Sequence, residues 1–329
     1  MDSFLFALGA VSPIILMVVI GYFIKRVGLM SKEHAKAANK LVFRVFLPAT
    51  LFLNVYKIQN LAEVEFGYIA YALIVILALF LIALPVSFLV TKKRDRQGPF
   101  VQVAFRSNYA LVGLPLAGSL FGAEGMMVAT LLSAAAIPLF NVLAVISLSL
   151  FRGGEQKPSV KKILLGIAKN PLILSIATGL VFLGIRAIFE AQEIAFRLTD
   201  IAPVYTVLEY LSDLSTPLAL LVLGAQFEFS AVKELRREII AGTVARTVVA
   251  PLVGVGVAYL FFKNVFTGAH FAAFVALFAT PVAVSSLPMA QEMENDAALA
   301  GQYVVWTTLV SALSIFLASF LLRAAGVLV

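Results

Sequence analysis

Two stretches carry the reading: Arg106-Ser-Asn-Tyr-Ala-Leu-Val-Gly-Leu-Pro115 and Ala279-Thr-Pro-Val-Ala-Val-Ser-Ser-Leu-Pro288. Each lies inside a long apolar run. A proline there removes a backbone hydrogen bond and clashes with the preceding turn. In a bilayer the freed carbonyls cannot face lipid, so such a break belongs where it is buried or lines a cavity. Overlaying Pro115 on Pro288 sets Asn108 opposite Pro281, both seven residues earlier. Two helices broken at matching points would bring two positive helix ends together near the midplane. That geometry suits an anion such as a carboxylate.

Composition places these breaks in a membrane. Of 329 residues, 61% are hydrophobic and only 13% charged, about half the roughly 25% of a soluble domain. Mean hydropathy is +1.00. An ordinary soluble enzyme, a disordered chain and a nucleic-acid-binding module are excluded. There is no cysteine, hence no disulfide framework or thiolate metal site. The two histidines, His34 and His270, do not form an HExxH zinc motif. No P-loop for ATP is present, and no cofactor or metal site is expected.

A helix needs about 20 apolar residues to cross a bilayer. Ten runs qualify: 4–24, 41–58, 67–90, 100–122, 126–151, 163–186, 204–225, 239–262, 270–292 and 298–322. The fold class is therefore an all-α polytopic membrane protein. The first run lacks a basic leader and reads as a span, not as a signal peptide. Sixteen of the 25 Lys and Arg fall in the 1–2, 3–4, 5–6 and 7–8 loops, against five on the other side. The positive-inside rule then puts those loops in the cytoplasm and both termini outside. The expected location is the inner or plasma membrane. The acidic 9–10 turn (Glu292, Glu294, Asp296) is inside only by parity.

The chain also repeats itself. Ser12-Pro-Ile-Ile-Leu-Met-Val-Val-Ile-Gly21 matches Asn170-Pro-Leu-Ile-Leu-Ser-Ile-Ala-Thr-Gly179 in register. Leu47-Pro48 pairs with Thr216-Pro217, Pro85 with Pro251, and Leu114-Pro115 with Leu287-Pro288. Each unit has five spans, so the second enters inverted, the architecture of many secondary transporters. The units are 1–151 and 163–329, joined by a cytoplasmic link at 152–162, with spans 4 and 9 as the broken crossover helices.

Intramembrane polar residues are costly and mark function or packing. Asn108 can donate to a carboxylate or bond a freed carbonyl. Arg106 can clamp a carboxylate or reach the headgroups. Arg246, at similar depth, has the same options and could pair with a carboxylate. Asp213, mid-span with Glu209 one turn away, suits a proton carrier if buried, or a partner for either arginine. Ser285 and Ser286 can donate to substrate or to freed carbonyls. Gln302 is a further substrate-binding candidate, with helix packing as its alternative; Asn54 and Asn141 read as packing.

Asn108–Pro115, Thr216-Pro-Leu-Ala-Leu-Leu-Val-Leu-Gly224, Ala300-Gly-Gln-Tyr-Val-Val-Trp-Thr-Thr308 and Asn39–Pro48 together resemble the auxin efflux carrier family. That family includes plant PIN proteins and bacterial carriers assigned to malate, malonate and similar acids. The resemblance covers essentially the whole chain. It implies a 5+5 inverted repeat with scaffold and transport domains interleaved. Asn108 matches the crossover asparagine, and Pro115 and Pro288 the helix-breaking prolines. The long central loop of plant members is absent.

The expected function is secondary active transport of small organic anions, either carboxylates such as malate and malonate or auxin-like weak acids. The substrate would sit at the crossover of spans 4 and 9. A sodium-coupled symporter of the bile-acid type and a channel are the rivals. No nucleophile–base pair is spaced for catalysis, so no enzyme is expected. H+ and Na+ are both open as coupling ion, and a homodimer is one option.

Overall fold

The computed structural model describes residues 2–58, 66–153 and 160–328; every regular element among them is helical. The elements are α1 (Asp2–Arg26), α2 (Lys32–Tyr56), α3 (Phe66–Val90), α4 (Arg94–Phe105), α5 (Leu114–Leu150), α6 (Val160–Ala168) and α7 (Pro171–Ala191). They continue with α8 (Ala202–Gln226), α9 (Phe229–Glu234), α10 (Arg236–Phe262), α11 (Gly268–Phe278), α12 (Ser286–Glu292) and α13 (Ala297–Ala324). Residues 154–159 of the expected link, with Lys157, lie outside the described residues.

Among the described residues seven helical runs are long and apolar enough to cross a bilayer, against ten expected. Two local features account for part of the difference. One run extends over 57 residues, Arg94–Leu150, or about 85 Å of ideal helix, far more than one crossing needs. It is broken at 106–108 and turns back at Phe121–Gly122, where Gly122 takes φ +59. Expected span 9 is divided into α11 and α12, each short. α1, 25 residues long like α3, carries the first expected run. Expected span 6 also differs: the chain bends at Asn170, whose side chain caps Leu172 N–H at 2.9 Å with Pro171 in the first turn.

The broken helices occupy the interior. Every residue from Ala269 to Phe278 in α11 and from Arg96 to Phe105 in α4 is buried. Irregular backbone is thereby kept from lipid. α11 packs on α5, α4 on α3 and α5, and α12 on α13. α1 packs on α8, while α2 packs on α7 and α8. The α1–α8 contact is a backbone approach between two glycines. A Cβ on Gly224 would strike the Val18 carbonyl, and one on Gly21 would strike that of Leu221. Small residues provide such close packing where no hydrophobic force drives helices together.

Ion pairs gather the basic loops at one end. Arg96, 8% exposed, bonds Asp296 at 2.9 Å, Glu238 at 3.3 Å and Glu234. Arg152 pairs with Glu294, Arg44 with Glu292 at 3.7 Å, and Lys32 with Glu228 at 3.3 Å. The acidic 9–10 turn therefore shares an end with the 1–2, 3–4, 5–6 and 7–8 loops. The opposite end carries Lys57–Glu209 at 3.1 Å and Arg186 on the Tyr56 and Ile58 carbonyls.

Two predictions follow from this packing. Gly224→Leu should lower stability by about 1–3 kcal/mol through overpacking. Gly184→Leu, with open space around it, should leave the melting temperature unchanged. The second concerns pH. Hydrogen bonding to Arg96 holds Glu234 below its usual value, and Arg152 does the same for Glu294. A depressed folded-state value gives stability that is complete above the unfolded carboxylate range. It is lost as pH falls through the folded value. The melting temperature should drop on acidification below about pH 4, and by less in a Glu234→Gln/Glu294→Gln variant.

Candidate functional site

α4 stops at Phe105 because Arg106 turns extended, φ −86 and ψ 121. Asn108 is also non-helical, φ −83 and ψ 55. A wide turn over Tyr109–Gly113 then leads into α5, with Pro115 in its first turn. α11 stops at Phe278, and the chain resumes helix at Ser286 with Pro288 in the first turn. Pro115 and Pro288 thus open the downstream helices, where a missing N–H costs little. The breaks lie just before them. Asn108 N–H donates to the Pro281 carbonyl at 2.7 Å. The pair that the proline overlay sets in register is joined directly.

Arg246 closes the junction. Fully buried, it donates from Nε to Thr280 O at 2.8 Å and from Nη1 to Phe105 O at 3.2 Å. Nη2 donates to Leu277 O and Phe278 O, both at 2.8 Å. These are carbonyls left without partners where α4 and α11 end. A cation at two helix C-termini is also favoured by their dipoles. No carboxylate pairs with Arg246 among the described residues; four of its five N–H groups go to backbone carbonyls.

Arg106 is equally buried at 3% exposure but differently bonded. It donates to Asn141 Oδ1 and Ser285 Oγ at 2.8 Å each and to Met289 Sδ at 2.8 Å. All three are neutral side chains. Among the described residues no carboxylate pairs with it. Arg106, Ser107, Asn108, Asn141 and Ser285 line a cavity of about 100 Å³. Its other wall is Thr50 and Asn54 of α2 with Ser215 and Thr216 of α8. Asn108 Nδ2 and Ser107 Oγ are buried there without a hydrogen-bond partner. A second cavity of about 460 Å³ shares Asn54, Ala110 and Ile137 with the first and reaches Lys57.

Other expected site residues lie elsewhere. Ser286 is 3% exposed with an unpartnered hydroxyl, yet it is not among the cavity's lining residues. Gln302 is away from the breaks: it donates to Glu228 O at 3.1 Å and accepts from Trp306 Nε1 at 3.0 Å. Asp213 is exposed on its helix and is not among the residues lining the cavity at the breaks. Glu209 is half-exposed and tied to Lys57. Burial pulls the Lys57 ammonium down, but its hydrogen bond to Glu209 and neighbouring Tyr205 outweigh that and leave it raised.

Asn141 and Ser107 were not among the expected site residues. Asn141 follows Pro138 by three residues in an apolar helix, and Ser107 directly precedes Asn108. Ser107 lay within one turn of the break, whereas Asn141, read as packing, reaches the cavity through a contact 35 residues along the chain.

A model described as membrane transport protein matches residues 6–319. The chain belongs to this family. The resemblance to the auxin efflux carriers is borne out. An uncharacterized transporter of Methanothermobacter thermautotrophicus is 24% identical over 318 residues, 95% of this chain and 97% of that one. One of Methanocaldococcus jannaschii, also uncharacterized, is 27% identical over 229 residues, 67% of this chain and 68% of its own length.

The clamp predicts a large effect. Arg246→Gln leaves buried carbonyls unpaired, each costing about 1–3 kcal/mol. Arg246→Lys should rescue poorly, because one ammonium cannot span two helix ends. Melting of the purified variants against wild type checks both.

Proposed function

We propose that this membrane transport protein is a secondary carrier of small organic anions, carboxylates of the malate or malonate kind, bound between the two helix breaks. The observation carrying this reading is Arg106. A buried cation whose neighbours are all neutral is costly until an anion joins it, and unpartnered Asn108 Nδ2 and Ser107 Oγ stand in the same cavity. A guanidinium with hydroxyl and amide donors suits a carboxylate. A volume of about 100 Å³, below the roughly 300 Å³ at which drug-sized pockets begin, favours a compact acid over an auxin-like ring.

The architecture read here is ten spans in two inverted five-span units, 1–151 and 163–329. Spans 4 and 9 are α4 with the first limb of α5, and α11 with α12. Support comes from the exchange of partners: span 1 packs on span 7 as span 6 packs on span 2. Spans 1, 2, 6 and 7 form the scaffold, and the others the transport domain. Shared placement of the basic loops argues for a cytoplasmic basic end with both termini outside. The larger cavity beside Lys57 would then face outward. The second broken helix, α12, is only seven residues long, so side chains rather than its dipole would hold the anion.

Wild-type protein in proteoliposomes should take up a small dicarboxylate. Arg106→Gln and Asn108→Ala should each weaken binding by about ten- to a hundredfold, read by thermal shift with malonate and by uptake. Undiminished uptake in both variants would overturn the site. The same uptake with and without a sodium gradient reads the coupling ion.

A further inference from the structure

A separate cavity of about 290 Å³ lies at the basic end of the bundle, between the 1–2 loop, the end of α8 and the start of α13. Lys25, Lys32 and Lys36 line it, with Glu228 as the one acidic side chain, so positive charge is two in excess. Lys32 is engaged by Glu228 at 3.3 Å. Lys25 and Lys36 have no ion-pair partner among the described residues. Gln291 adds an amide whose Oε1 is buried and unpartnered; turning that amide presents its donors to the cavity. Leu223 and Leu287 form apolar wall here.

An aromatic file runs from this cavity to the lipid-exposed surface. Phe227 lines it and meets Phe229 edge-on at 5.0 Å. Phe229 meets Tyr22 at 5.7 Å, and Tyr22 meets Phe23 at 6.1 Å. Phe229 and Phe23 are 68% and 56% exposed. Tyr22, one turn before Lys25 and Arg26 at the end of α1, is of the type that marks headgroup depth. Basic pockets between helices at that depth take phosphate headgroups, and lysine binds phosphate as a point charge.

From this juxtaposition we propose that the basic-end cavity is a phosphate-binding site, filled by the headgroup of an anionic phospholipid or by free phosphate. Bound there, the anion bridges Lys25 and Lys36 to the α12 and α13 side through Gln291. It adds to the contacts that join the two groups of helices at this end, which include Arg44–Glu292, Asn39 with Pro288 O and Gln302 with Glu228 O. The site shares no lining residue with the cavity at the helix breaks, so it stands or falls apart from the proposed substrate site.

The test compares melting of the purified protein in three settings. These are phosphatidylcholine alone, equal parts of phosphatidylcholine and phosphatidylglycerol, and phosphatidylcholine with inorganic phosphate against chloride at matched ionic strength. Wild type should gain about 2–4 °C with the occupied site. Lys25→Gln/Lys36→Gln should lose that gain. Lys40→Gln/Lys92→Gln, with the same charge change outside the cavity, should keep it. A gain confined to phosphatidylglycerol identifies the lipid, and a gain with inorganic phosphate identifies the free anion. No gain in any arm, or a gain that survives in the Lys25/Lys36 variant, overturns the site. Malonate binding by the double variant reports independently on the substrate cavity.

Discussion

One buried guanidinium holds the centre of this molecule together. Two helices end in the interior, and each leaves carbonyls that neither water nor lipid can reach. Arg246 bonds four of them, from Phe105 on one side and from Leu277, Phe278 and Thr280 on the other. Without that cation the breaks at 106–108 and 279–285 would have no acceptable solvation. With it, irregular backbone becomes stable inside an apolar bundle, and the breaks set Arg106, Ser107, Asn108 and Ser285 into the cavity wall.

Arg106 and Arg246 are one residue type at one depth, and the contrast between them separates structure from binding. Arg246 spends its donors on helix ends whose dipoles answer its charge. Arg106 reaches an amide oxygen, a hydroxyl and a thioether, none of which carries charge. The first is matched by the negative ends of two helices. The second has no carboxylate partner among the described residues.

Much of this was legible in the residues. The overlay of Pro115 and Pro288 placed Asn108 against Pro281, and the backbone bond between them is what that register requires. Helix breaking is local chemistry, so it shows in local sequence. Which way a helix faces is not local. Asp213 sits mid-span by count, yet it faces outward because α1 and α2 take the other sides of α8. Gln302 likewise belongs to the basic end because α13 begins there. The two arginines could not be told apart in sequence, since their difference lies in partners more than 30 residues away. The span count differed for a related reason: length and apolarity define a crossing well for continuous rods and poorly for interior half-helices.

The notched glycines have a mechanical corollary. Gly21 and Gly224 seat α1 and α8 backbone against backbone, so neither can slide without first lifting clear of the other. Gly113 is seated in the same manner against the Ala276 carbonyl, between the entry to α5 and α11. Across the cavity, by contrast, α2 meets α12 through long side-chain contacts, 3.7 Å for Arg44–Glu292 and 3.5 Å for Asn39 to Pro288. Shear resistance is therefore high within each glycine-locked pair. The polar chamber is walled by one member of each locked pair, α8 on one side and the entry to α5 on the other.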